Sequence, residues 1–423
     1  MADVANANFF ARAFDRARFA AIAGWLVVAV AVTLPWSTSI SQICTVLWLL
    51  ALLPTLTVAD LRRELATWAG GLPALLWLAG VVGMLWADVS FGERIAGLGG
   101  YHKLLVLPLL LAQFRRSGRA APVLYGFVAS CTVLLVVSWA LKIVWDVRGP
   151  TGFYLHDKLP GIPVRDYIAQ SSEFLLCTFG LSAVGLEALR ARRLGLAVAV
   201  TALALVFLAN VLYVSTGRSG LVVAPILIVL LGARYFGWKG VIGALLAGVV
   251  IAGVAWASSP FLRLRLSYTL VELSSYRDNN AITSAGMRLE FWKKSIAFVR
   301  EAPLFGNGTG SMPALYRRAA AGETGAEGVA TVNPHNQFLA VAIELGFVGL
   351  AILLAMWVAH VALFRAPGLM SWFGLAMVLQ NIVSSAFNSH LFDSFHGWLY
   401  VFGVGVLGGM VLSRAPAARV GAA

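Results

Sequence analysis

Residues 194–257 read LGLAVAVTALALVFLANVLYVSTGRSGLVVAPILIVLLGARYFGWKGVIGALLAGVVIAGVAWA. Three apolar runs (194–214, 219–233 and 238–257) are separated by only a few polar residues. About 20 such residues, coiled as a helix, cross the ~30 Å hydrocarbon of a bilayer. An open segment in lipid must satisfy its own backbone hydrogen bonds, so each run is expected to be helical. The pattern extends outward on both sides, to 19–36, 40–58, 67–86, 98–114, 121–144 and 169–188 before it, and to 336–360, 368–387 and 395–412 after it. Composition agrees: 60% of residues are apolar and 12% charged, with mean hydropathy +0.82, against ~25% charge in a soluble domain. A soluble enzyme is excluded. The reading is an all-α polytopic membrane protein of about twelve helices, with no cleavable leader expected. Residues 1–257 form a first bundle of about nine helices, with an external loop near 145–168. Residues 258–335 form a large external loop, and 336–423 hold about three helices and a short tail.

The formal charge of +13 would suit a nucleic-acid binder if it formed one face. Instead it falls in short clusters between apolar runs, so no nucleic-acid partner is expected. Arg12, Arg16, Arg18, Arg62, Arg63, Arg115, Arg116, Arg119, Arg190, Arg192, Arg193, Arg234, Lys239, Arg365, Arg414 and Arg419 all fall on one side of a twelve-span path. Only Asp3, Asp15, Asp60, Glu64 and Glu187 oppose them there. The positive-inside rule makes that side, and both termini, cytoplasmic.

The loop 258–335 is too long to be structureless. Helices are expected over 261–276 and 284–300, the second with an apolar side of Met287, Phe291, Ile296 and Phe298, lying at the membrane surface or folding back over the bundle. LFGNGTGS (304–311) is a flexible or tightly turned segment. It lacks the GKS ending of a phosphate loop. The Ala/Gly-rich stretch 319–330 is expected to be a mobile tip. The three cysteines (Cys44, Cys131, Cys177) lie in apolar runs and read as small buried hydrophobes.

Three residues stand out at the external face. His335, in VNPHNQFL, is expected at a helix start with Asn333 as N-cap and Pro334 in the first turn. The helix dipole there disfavours imidazolium, leaving a neutral imidazole able to take a proton. Arg218, in STGRSG, is an arginine that the topology does not call for, flanked by glycines that permit close backbone approach. Arg288, on the loop helix with Phe291, Trp292 and Ser295, offers a guanidinium fork suited to phosphate oxygens. Each has a plain structural alternative: a cap, a snorkelling side chain or a solvated charge. Glu173 is an acid near membrane depth. Asp88, Glu93, Asp157 and Asp166 are external acids able to assist a base. His390, Asp393 and His396 form a weak metal candidate. No DxD pair, serine elbow or HExxH is present, so no metal and no cofactor are expected.

Two anion binders and a neutral base on one face suit glycosyl transfer from a lipid-linked pyrophosphate sugar. The arginines would hold the pyrophosphate and stabilise its departure. His335 would deprotonate an acceptor hydroxyl, and direct displacement would invert the anomeric centre without metal. At this point the chain resembles the O-antigen ligase/polymerase superfamily of multi-spanning bacterial envelope proteins. The resemblance rests on the order of Thr216-Gly-Arg-Ser-Gly220, Arg288-Leu-Glu-Phe-Trp292, Pro303-Leu-Phe-Gly-Asn-Gly308 and His335-Asn-Gln-Phe-Leu339. It implies a C-type glycosyltransferase fold in the bacterial inner membrane, with a periplasmic active site. It also implies undecaprenyl pyrophosphate binding by Arg218 and Arg288, and an essential His335. The implied donor is an undecaprenyl-pyrophosphate-linked glycan, the acceptor lipid A–core, amid membrane lipids; protein partners are not readable. Lys103 and Arg94, near the fourth span, are candidates for lipid A phosphates. A ligase is favoured, because polymerases share the topology but match the His-Asn motif less well; a protein O-oligosaccharyltransferase is the third member of the group. A transporter of the same lipid-linked glycan is disfavoured, because its charges would line a path through the midplane, whereas these gather at one face.

Overall fold

The computed structural model describes residues 15–148, 160–215 and 217–414. Its helices are α1 (Arg16–Thr33), α2 (Thr38–Leu52), α3 (Val58–Leu65), α4 (Trp68–Gly83), α5 (Phe91–Leu98), α6 (Val106–Ser117), α7 (Ala121–Arg148), α8 (Tyr167–Arg190), α9 (Leu194–Tyr213), α10 (Arg218–Ser258), α11 (Pro260–Asn279), α12 (Ser284–Glu301), α13 (Met312–Ala320), α14 (Gln337–Leu363), α15 (Leu369–Ser384) and α16 (His396–Arg414). No strand occurs among the described residues. The protein is a multi-pass, all-α membrane protein. Eight helices are long and apolar enough to cross a bilayer, or up to ten if two bent pairs each count as one span. The pairs are α3 with α4, bent by 88°, and α5 with the segment His102–Ser117, bent by 47°.

Two cores organise the bundle. One gathers Val27, Trp48, Leu76, Leu107, Leu111, Trp357 and Tyr400, from α1, α2, α4, α6, α14 and α16. The other gathers Leu134, Phe174, Phe207, Leu227 and Trp372, from α7, α8, α9, α10 and α15. Helices α8 and α16 are the most enclosed, each with 72% of its most apolar window buried. Cys131 and Cys177 are buried free thiols and Cys44 is half-buried.

α10 covers two of the expected runs. Gly237 stands at φ 62°, ψ −146°, outside helical space. A Cβ on Gly232 would lie 2.3 Å from the Gly240 oxygen and 2.9 Å from Ala244 Cβ. In a straight helix residues 232 and 244 stand about 18 Å apart, so the chain doubles back at Gly237 and its limbs pack through glycines.

A second break lies in α14, at Gly346 (φ 61°, ψ −159°). Broken helix inside a membrane protein needs replacement partners for its backbone. The Pro303–Gly308 turn supplies them. Phe347 N–H donates to Pro303 O (2.8 Å) and Val348 N–H to Leu304 O (3.2 Å). In return, Asn307 N–H donates to Ile343 O (2.8 Å) and Gly308 N–H to Glu344 O (3.0 Å). Of the two expectations for this segment, tight turning is what the structure adopts. Glu344, buried in α14, takes hydrogen bonds from Gly310 N–H (3.0 Å) and the Tyr101 hydroxyl (3.0 Å), joining the external loop to the bundle.

Both helices expected in the large loop form, as α11 and α12. Phe291 and Phe298 are buried as expected, but Ile296 is 45% exposed. It lies nine residues from Met287, half a turn out of phase on a 3.6-residue helix. The stretch 319–330, expected to be a mobile tip, is tied down: Ala326 N–H donates to Asn280 O (2.9 Å), Asn280 Nδ2 to Thr324 O (2.9 Å), and Lys294 Nζ to Glu327 O.

Candidate active site

His335 precedes α14 rather than sitting in its first turn. The N-cap is Asn336, whose side chain accepts from Leu339 N–H, and Asn333 is not the cap. His335 takes φ +52°, a left-handed conformation costly for a residue with a Cβ. Local bonds hold it there. Asn333 Oδ1 accepts from His335 N–H (2.8 Å) and from the Ser389 hydroxyl (2.7 Å). Trp292 of α12 donates to Pro334 O (3.0 Å). Phe291 lies over the ring at 6.3 Å, with 20° between planes.

The next two motif residues bind the connection between α15 and α16. Asn336 Nδ2 donates to Ala386 O (3.1 Å), and Gln337 Oε1 accepts from Leu391 N–H (3.0 Å) and Phe392 N–H (3.2 Å). The His335 ring reaches the same connection, with Nδ1 3.0 Å from Asn388 Oδ1. That oxygen also accepts from Ser389 N–H (3.0 Å) and Asn333 Nδ2 (3.2 Å), so it is an acceptor. Nδ1 therefore carries the proton in neutral His335 and Nε2 presents its lone pair. The pKa of His335 is lowered, first by burial and next by Arg288, with the Asn388 bond opposing both. The neutral state matches expectation, but its main cause is burial and the Arg288 charge rather than the helix dipole alone.

Arg218 and Arg288 line one cleft, together with Tyr167, Ser219, Asn388 and His390. Arg218 opens α10 instead of sitting in a turn. Its Nη2 donates to Glu272 Oε2 of α11 (2.8 Å), while its Nε, buried, makes no hydrogen bond among the described residues. Gly217 also lets α10 start close against α8: a Cβ there would meet Ser171 Oγ at 2.7 Å. Asn388 joins this cleft to His335, so the three residues expected to act together do converge.

None of the other described candidates lines the cleft. Asp166 caps α8, accepting from Ile168 N–H and Ala169 N–H (both 2.8 Å). Glu173 is buried in α8, and its Oε2 makes no hydrogen bond among the described residues. Asp157 lies outside the described residues. Arg94 donates to Val89 O (3.1 Å) and Met84 O (2.9 Å). Lys103 is buried and donates to Phe392 O (3.0 Å) and Asp393 O (2.7 Å). Its ammonium staples the α15–α16 connection and is not displayed to lipid headgroups. Asp88 and Glu93 pair with Arg318 (3.0 Å) and Arg317 (2.7 Å) of α13.

Sequence reasoning missed Asn388 and used His390 only as a metal candidate. Among the described residues no three His, Cys, Asp or Glu side chains are grouped as metal ligands. Nδ1 of His396 is taken by Asp393 Oδ1 (2.9 Å) and its Nε2 lies 3.2 Å from Ser172 Oγ. The available signal was the polar run FNSHLFDSFH between two apolar runs.

Residues 174–354 match the model of a family described as O-antigen ligase. The match contains Arg218, Arg288 and His335, whereas Asn388 and His390 lie beyond it. No curated protein matches the chain.

Proposed function

From the match of residues 174–354 to the O-antigen ligase family, we propose that the chain transfers a glycan from undecaprenyl pyrophosphate to a sugar hydroxyl of lipid A–core. The carrying observation is that Arg218 and Arg288 line one cleft joined to His335 through Asn388. His335 Nε2 takes the proton of the attacking hydroxyl. The acceptor oxygen bonds to the anomeric carbon as its bond to the phosphate oxygen breaks, which inverts that centre. The electron pair leaves on undecaprenyl pyrophosphate, whose charge the two guanidiniums stabilise. Arg218 must exchange its Glu272 partner for the pyrophosphate. Asn388 holds the tautomer and stabilises the imidazolium as it forms. Every step is assigned to this chain's own side chains, and none calls for a metal.

Twelve crossings follow if the two limbs of α10 count separately, each bent pair spans once and the 16-residue α15 also crosses. An even number puts both termini on one side, and the basic clusters make that side cytoplasmic. The cleft then faces the periplasm, on a C-type glycosyltransferase scaffold.

The test uses purified protein in nanodiscs with undecaprenyl-pyrophosphate-linked glycan, lipid A–core and a chelator. Glycan transfer is expected in wild type. It should fall about 10²–10⁴-fold in His335→Ala and about 10²–10³-fold in Arg288→Ala. Lengthening of the lipid-linked glycan, with lipid A–core unmodified, would make the protein a polymerase. Movement of the lipid across sealed vesicles, with neither product formed, would make it a transporter.

A further inference from the structure

His390 lies in the α15–α16 connection, is 1% exposed and lines the cleft that holds Arg218 and Arg288. Its ring stacks face to face on His396, with centroids 3.8 Å apart and planes 5° apart. His396 is held in turn by Asp393, whose Oδ1 accepts from its ring and from its backbone N–H. The His390 ring is therefore fixed in place before any ligand arrives.

The protonation of that ring follows from its neighbours. The Ser384 hydroxyl lies 2.8 Å from His390 Nδ1 and 3.3 Å from Asn381 O. A hydroxyl has one proton; given to His390 rather than to Asn381 O, it makes Nδ1 the acceptor. Burial, then the neighbouring His396 ring and the Arg288 guanidinium, lower the pKa, against the opposing pull of Asp393. A neutral ring that accepts at Nδ1 carries its proton on Nε2. That Nε2 is buried and makes no hydrogen bond among the described residues. A buried donor without an acceptor is costly, and Arg218 Nε in the same cleft likewise makes no hydrogen bond among the described residues. With the proton on Nε2, two unspent N–H donors beside a second guanidinium make a cavity suited to an anion rather than to a neutral sugar.

We propose that His390 is a third binding residue for the diphosphate, donating its Nε2 proton to a phosphate oxygen between Arg218 and Arg288. This deepens the glycosyl-transfer reading and rests on it. A neutral donor there adds a directional bond without a third full charge, so the product diphosphate is gripped less tightly than by three cations and can leave.

The probe is inorganic diphosphate, titrated calorimetrically into the full-length protein in nanodiscs, with thermal unfolding recorded for every variant. Wild type is expected to bind and Arg288→Ala to lose binding. His390→Leu should weaken binding about 10-fold or more, the scale of a hydrogen bond to a charged group. His390→Gln, which can place an amide N–H near the same point, should recover most of it. Ser384→Ala, which releases the tautomer, should weaken binding less than His390→Leu. If wild type binds and Arg288→Ala fails to, but His390→Leu binds as wild type does, the His390 role is wrong and the pyrophosphate cleft stands. If His390→Gln is as weak as His390→Leu while both unfold at the wild-type temperature, the donor role is again wrong. Absence of binding by wild type would overturn the cleft reading and this inference with it.

Discussion

His335 illustrates how one side chain acquires its chemistry from neighbours distant in sequence. Its type and its place before an apolar run were legible, and so was its neutrality. The left-handed backbone was not, because φ +52° is imposed by Asn333, Trp292 and the connection at 385–392. The tautomer was also illegible, since Asn388 lies 53 positions away. A base is active when unprotonated, so the transfer rate should rise with pH through the His335 pKa and level off above it. With that pKa lowered by burial and by Arg288, the acid limb should lie below ~6.5, the unperturbed value. Replacing Arg288 with Gln removes one cause, so the residual activity should show its acid limb at higher pH. A pH–rate profile of both proteins checks this; an unmoved limb would mean that Arg288 does not act on His335.

Among the secondary-structure elements, the Pro303–Gly308 turn and the break in α14 are complementary parts. Gly308 has φ +89°, and a Cβ there would lie 2.5 Å from Ala87 Cα; one on Gly346 (φ +61°) would lie 2.4 Å from the Leu304 carbonyl. Gly308→Ala should destabilise the protein by about 1–3 kcal/mol, the usual range for overpacking, through both clash and backbone strain. Gly243→Ala, at a position with open space, should leave stability unchanged or slightly raised, since alanine favours a helix. Thermal unfolding in the same detergent compares them; equal transitions would show that the turn is not locked into the break. The apolar runs announced these helices. The break at Gly346 could not be read from them, because glycine within an apolar run is equally compatible with an uninterrupted helix.

Across the whole molecule, the apolar faces of α10 illustrate a chain solvated by lipid. Leu246, Val249, Val250 and Val254 are exposed, as lipid-facing residues are. The orientation is testable with a cysteine at Glu323, an exposed position of the large loop. In cells with a permeabilised outer membrane and an intact inner one, an impermeant maleimide should label it. Labelling only after the inner membrane is opened would invert the topology and move the cleft to the cytoplasm. Apolar run length and the clustering of arginines were sufficient to read the class of protein and the order of its helical runs, because the cost of burying a backbone or a charge in lipid acts locally along the chain. They also marked Arg218, Arg288 and His335 as charges and a base at one face. The cleft itself required tertiary structure. Lys103 is a buried staple on the α15–α16 connection, Glu272 is the partner of Arg218, and Asn388 and His390 line the cleft, since each contact joins elements tens to hundreds of residues apart. Hydropathy carries no record of which polar side chains meet, and that pairing arises only when packed helices bring their ends together.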